Sequence, residues 1–106
     1  DMVRSYCNTT DEDDATLKEN FDGEIYKVIK QGFLSKLEDF LTDSEKENLD
    51  YAGQVVIYIQ AVRFLSDYLN NDSYYHTKYP DHNLDRTKNQ LQLLKNLQDY
   101  QETVPV

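Results

Sequence analysis

The sequence predicts an all-α fold, a bundle of three to four helices in a single domain over residues 1–106. Three observations point there. Apolar residues recur at steps of three and four through two long stretches, the period of helices that bury one face. A capping box opens the more apolar of these stretches. Helix-breaking residues gather in two places, 8–20 and 70–83, and leave continuous segments between them.

In chain order, residues 1–7 have a helical look from Asp1-Met2-Val3-Arg4 onward, and a short helix is expected there. Residues 8–20 are dense in Asn, Thr and Asp around Asp11-Glu12-Asp13-Asp14. A calcium loop needs Gly at its sixth position, but Thr16 stands there when counting begins at Asp11. The stretch is read as a solvated acidic loop with an Asp placed to cap a short helix.

A helix is expected over 22–41, with Asp22 as N-cap and Phe21, Ile25, Val28, Ile29, Phe33, Leu37 and Phe40 on one face. Gly32 falls inside it at a cost of about 1 kcal/mol against Ala, which close approach of another helix explains. Thr42-Asp43-Ser44-Glu45 is the capping box, opening a helix over 43–70. Val55-Val56-Ile57-Tyr58-Ile59 also suits a strand, but the segment's length, the capping box and the lack of nearby turn residues favour helix. Apolar nearly all round, this segment belongs at the centre of the bundle.

Gln60, Arg63 and Asp67 form a polar stripe on that helix. One reading is an Arg63–Asp67 ion pair that ties the helix to a neighbour. The other is a stripe facing a cleft or a missing partner, since buried charges require partners. Residues 70–83 form a loop in which Tyr74, Tyr75, Tyr79, His76 and His82 resemble a recognition surface, although packing accounts for most of the tyrosines. The two histidines specify no third metal ligand. A last helix over 84–100, capped by Asn83, packs through Leu91, Leu93, Leu94, Leu97 and Tyr100, and the tail ending in Val104-Pro105-Val106 stops it.

Composition narrows the function. Hydrophobic residues make up 39% and the mean hydropathy is -0.80, so the core is gathered into few segments. The net charge of -9, concentrated in the first half, repels nucleic acid and anionic lipid, and neither is expected as a partner. No run of about 20 apolar residues exists to span a membrane, and no signal-peptide shape opens the chain. The cytoplasm is the expected compartment. A lone Cys7 forms no internal disulfide and suits no zinc site. The three glycines, Gly23, Gly32 and Gly53, are too scattered for a phosphate loop. No nucleophile–base pair is visible. No catalytic residue, metal ligand or cofactor is therefore assigned to this chain.

Several strings carry a resemblance: Asp1-Met2-Val3-Arg4-Ser5, Lys30-Gln31-Gly32-Phe33-Leu34, Arg63-Phe64-Leu65-Ser66-Asp67-Tyr68-Leu69-Asn70-Asn71-Asp72-Ser73-Tyr74-Tyr75, and His82-Asn83-Leu84-Asp85-Arg86-Thr87-Lys88-Asn89-Gln90. In this order and spacing they resemble the C-terminal helical region of the aminoglycoside phosphotransferase and choline kinase type, on the branch of N-acetylhexosamine 1-kinase-like proteins. The resemblance covers nearly the whole chain. Ser66 and Asn71 stand where that pattern has Thr and Gly.

The resemblance implies an acceptor-side helical subdomain of a sugar phosphotransferase, with Asp1 as a structural aspartate that opens a helix. The nucleotide lobe, the catalytic loop and the groups that hold ATP and magnesium then lie upstream, and this chain alone is inactive because phosphoryl transfer requires all of them together. Arg63 and Tyr74 are the implied sugar-binding residues. Gln60, Asp67, Arg86 and Gln90 are implied to support them or to be structural. The implied partner is the kinase portion, or a second copy, covering an exposed apolar flank. The alternative is a stand-alone helical interaction module derived from such a kinase, whose flank is expected to be polar.

Overall fold

In a computed structural model, residues 1–103 are described, and among them five α-helices and one 310 turn form an all-α fold without strands. The helices are α1 (Met2–Tyr6), α2 (Gly23–Leu37), α3 (Asp43–Glu47), α4 (Leu49–Leu69) and α5 (His82–Thr103), with the 310 turn at Glu38–Phe40 after α2. Of the tail from Glu102 onward, read above as the helix stop, Glu102 and Thr103 instead continue α5, and Val104-Pro105-Val106 lies outside the described residues.

The main packing is α4 against α5. Ile57, Ala61 and Phe64 of α4 and Leu93 and Leu97 of α5 are buried there, and Cys7 and Tyr26 complete the core from the chain's first part. Leu91, expected on the packing face of α5, is instead exposed. Tyr26, Phe21 and Tyr100 form an aromatic triangle with centroids 5.5–5.8 Å apart, which fixes the start of α2 on the end of α5. Gly23 is required at this junction, because a Cβ there would lie 2.5 Å from the Tyr100 ring.

Several elements differ from expectation for identifiable reasons. Asp22 caps α2 through the Glu24 and Ile25 amides, but the α-helix ends at Leu37 and tightens into the 310 turn. The capping box forms, with Thr42 accepting from the Glu45 amide and Glu45 accepting from the Thr42 amide. The helix it opens stops after one turn and α4 restarts beyond Asn48, whose φ of -96° and ψ of 4° leave the helical range. Asn48 donates its side-chain amide to the Ser44 carbonyl, a local bond that competes with the helical ladder.

The centre of the bundle is also redrawn. Only one face of α4 is buried. Tyr51, Tyr58, Ile59, Val62, Leu65 and Leu69 are exposed, Leu69 at 73%. The predicted apolar face of α2 is likewise open, with Val28 67% and Phe40 81% exposed. Gly32 has no atom near its missing Cβ, so no helix approaches it. The molecule is accordingly long, 46 × 25 × 19 Å, with a radius of gyration of 15.1 Å. A closed domain of this length is expected near 13 Å.

The acidic loop folds onto α5 without a helix of its own. Asp14 turns back on the Thr16 amide and hydroxyl, so it caps a bend instead of a helix. The loop's two ends meet through Thr9 N to Asn20 O (3.0 Å) and Asp22 N to Cys7 O (2.8 Å). Its anchors are amide side chains. Buried Asn89 donates to Asp14 O (2.8 Å), Thr10 Oγ1 (2.9 Å) and Asp11 O (3.1 Å), and accepts from Asn8 Nδ2 (2.7 Å). Asn20 donates to Asn89 O, and Asn96 bridges Lys18 O and Asn20 Oδ1.

Candidate ligand-binding groove

Asp67 organises the loop that follows α4. Its carboxylate accepts the amides of Tyr74 (2.7 Å) and Tyr75 (2.9 Å) and the Asn83 side-chain amide (2.8 Å), and its carbonyl accepts the Asp72 amide (2.8 Å). Burial acts to raise the carboxyl's pKa. The hydrogen bonds from Tyr75, Tyr74 and Asn83 together outweigh it and hold the group below the ordinary aspartate range. The chain reverses at Asn71 and Asp72, with φ of 63° and 55°, in the left-handed region that Asn and Asp tolerate better than most residues.

Asn83 is thus not an N-cap. α5 begins at His82, and Asn83 is buried in its first turn with its amide bridging Asp67 and Asp72 (3.0 Å). His82, also buried, accepts the Lys78 amide at Nδ1 (3.1 Å) and therefore carries its hydrogen on Nε2, which donates to Asp13 (2.8 Å). Tyr79 stacks on His82 at 4.6 Å and donates to Asp85. That bond, reinforced by burial, pushes its pKa up to about 12.

Beside this loop lie two adjoining depressions of about 470 and 500 Å³ that share Arg63, Tyr74 and Tyr75. The larger is lined by Arg4, Gln60, Arg63, Tyr74, Tyr75 and Arg86 together with Glu12, Phe64 and His76. The expected Arg63–Asp67 pair does not form. Asp67 is turned to the loop amides, and Arg63 is exposed with no polar partner among the described residues. Tyr74 is 74% exposed and meets Tyr75 edge-on at 4.9 Å. Tyr75 packs on Phe64 at 4.9 Å and accepts from Gln60 Nε2 (3.2 Å). Arg86 lies 5.7 Å from the Phe64 ring and donates to Asn83 Oδ1 (2.8 Å) and His76 O (3.1 Å).

Of the residues singled out in the sequence, Arg63, Tyr74, Gln60 and Arg86 therefore meet in one groove, and Asp67 holds its loop. Two do not reach it. Gln90 is fully buried on α5, with Nε2 on Asn89 Oδ1 (3.3 Å) and Oε1 without a partner. Asp1 stands at the N-cap of α1 without capping it, its carboxylate bound to Arg4 (2.8 Å). It borders a second, largely apolar cavity of about 360 Å³ between α1, α2 and α4 that is lined by Val3, Tyr26, Ile29, Phe33 and Val56 and shares Arg4 with the groove.

Sequence reasoning missed Arg4, placed Tyr75 in the aromatic loop without a specific role, and read Asn83 as a helix cap. Arg4 is one of only three arginines, which was the available signal. Among the described residues no three His, Cys, Asp or Glu side chains cluster as metal ligands, and no helix is long and apolar enough to cross a membrane. No known family model matches the chain.

Proposed function

We propose that the chain is the acceptor-side helical subdomain of an ATP-dependent phosphotransferase acting on an N-acetylhexosamine-like sugar, inactive without the nucleotide lobe and catalytic loop. The observation that carries the reading is an exposed Arg63 guanidinium, unpaired among the described residues, beside the exposed Tyr74 ring on a loop locked by Asp67. A guanidinium donates to sugar hydroxyls in a fixed fork, and an aromatic face covers the apolar side of a sugar ring. The strings that carry the family resemblance, 63–75 and 82–90, support it further, because the Asp67–Asn83 bond joins them at this groove.

The uncovered surface supports a partner that completes the protein. A closed monomer of this mass exposes about 6,200 Å², whereas the chain exposes 7167 Å². The excess, about 1,000 Å², is close to one side of a standard protein interface, about 800 Å². It includes the apolar flanks of α2 and α4, where an independent module is expected to be polar. In the completed enzyme the missing portion holds ATP and magnesium, while Arg63 and Tyr74 orient the sugar hydroxyl that accepts the phosphoryl group.

The test begins with an antibody against this chain. A cellular product several times heavier than 12.5 kDa, which phosphorylates an N-acetylhexosamine and loses that activity on Arg63→Ala, is the expected result. A product of the chain's own size, or a heavy product indifferent to Arg63, defeats the proposal.

A further inference from the structure

On α4, Tyr51, Val55, Tyr58, Val62, Leu65 and Leu69 alternate at steps of four and three, the spacing that gathers one seam along a helix for a second helix to pack on. The seam runs for about 27 Å, and among the described residues it is exposed throughout except at half-buried Val55. The helical period sets it on the side of α4 opposite Arg63 and Asp67, and apart from the buried Ile57, Ala61 and Phe64. The positions directly flanking it, Ala52, Gln54, Ile59, Ala61, Ser66 and Tyr68, are all uncharged, in a chain whose net charge is -9.

The spacing reads the same in both directions. A two-fold axis level with Gln60 therefore sets Tyr58 against Val62, Val55 against Leu65 and Tyr51 against Leu69 of the partner. The two ends of the seam also differ in shape. Tyr51, Gln54, Val55 and Tyr58 form, with Leu94 and Gln98 of α5, a depression of about 370 Å³, while Leu65 and Leu69 stand exposed at the other end. An antiparallel pair brings the two leucines of each copy to the depression of the other. Charge selects the same orientation. Residues 38–50, which lead into α4, hold six acids against Lys46 alone, and a parallel pair would set two such segments side by side. We propose that the chain pairs with a second copy of itself through this seam, as a two-fold antiparallel dimer. The groove and the open flank of α2 stay free for the catalytic portion of the proposed enzyme, so the inference stands or falls independently of the sugar reading.

The test is sedimentation equilibrium of the chain. One helix-wide strip is smaller than the about 800 Å² per partner of a standard interface, so the expected dissociation constant is about 1–100 µM. Association should strengthen as salt screens the like charges. Val62→Lys, at the centre of the seam, should weaken it at least about tenfold, because the pairing buries the new charge against Tyr58 of the partner. Leu69→Ala should weaken it by a smaller factor, and Val28→Lys, on the open face of α2, should leave it unchanged. All three positions are exposed, so the circular dichroism spectrum should stay native. A spin label on Asn70→Cys, with Cys7 buried and unreactive, should lie about 30 Å from its twin in the dimer. A mass that stays at 12.5 kDa up to about 500 µM, or a dimer indifferent to Val62→Lys and Leu69→Ala, overturns the proposal. So does a dimer broken by Val28→Lys, which moves the interface to α2, or a label separation under about 15 Å, which parallel neighbouring helices would give.

Discussion

Replacing Asn89 tests the claim that amide side chains, rather than charges, hold the acidic loop on α5. Its amide donates to Asp14 O, Thr10 Oγ1 and Asp11 O, and its oxygen accepts from Asn8, all at 2.7–3.1 Å. At a net value of about 1 kcal/mol for each of two to four such bonds, Asn89→Ala should cost about 2–4 kcal/mol. That is a large share of the roughly 5–15 kcal/mol that holds a domain together. Asn89→Asp is the sharper variant. It preserves shape but turns an oxygen toward the carbonyls of Asp11 and Asp14, and it buries a negative charge beside four neighbouring acids. At neutral pH it should destabilise at least as much as Ala, and the gap should narrow in acid, where the new carboxyl is protonated and donates a hydrogen bond. Urea unfolding followed by far-UV circular dichroism measures both. An Asn89→Asp protein within about 0.5 kcal/mol of the parent, the range of an ordinary surface substitution, would refute the reasoning.

Three further predictions concern the two glycines, the thiol and acid. Gly23→Ala should destabilise by about 1–3 kcal/mol because its Cβ meets the Tyr100 ring. Gly32→Ala, in open space on α2, should stabilise by about 0.5–1 kcal/mol; paired melting curves should therefore move in opposite directions. Cys7 is buried, and that burial, with the charge of Asp22, pushes its thiol up to about 11, so Ellman's reagent should react only on unfolding. Because the Asp67 carboxyl is depressed in the folded chain, its stabilisation is fully present above the unfolded aspartate value of about 3.9. It is lost as pH falls through the lower folded value. NMR titration of the Tyr74 and Tyr75 amides should give a midpoint below about 3.9, and a midpoint at or above that value counts against the assignment.

What the sequence revealed and what it concealed divide along the reach of each interaction. The capping box and the Asp22 cap are local, so three or four adjacent residues specify them. The polar stripe on α4 placed Arg63 and Asp67 correctly on one helix, yet spacing alone suggested that they pair. Asp67 instead binds the loop beyond the helix and Asn83, sixteen positions away, a partner no short-range pattern singles out. Asn89 was equally hidden, since its partners lie 75 to 81 positions earlier and an Asn within a helix ordinarily reads as solvated. The apolar faces of α2 and α4 misled for a different reason. Periodicity identifies which residues would gather on a buried face, but it does not reveal whether the element that buries them belongs to the same chain.

The open face of α2 gives this helix the mechanics of a cantilever. Its base is clamped, with Tyr26 donating to Asp50, Lys30 bound to Asp50 at 2.9 Å, and Gln101 reaching both Tyr26 OH and Asp50 O. Beyond Lys30 the beam carries Gly32 over empty space and ends in an uncovered Phe40. Opening energy should therefore fall along its length, from nearly that of global unfolding at Tyr26 toward zero at Leu37, a gradient that amide exchange reads residue by residue. Because Ile29 and Phe33 line the cavity between α1, α2 and α4, deflection of the free end changes the width of that cavity, and Arg4, which lines both the cavity and the arginine groove, stands where the two meet.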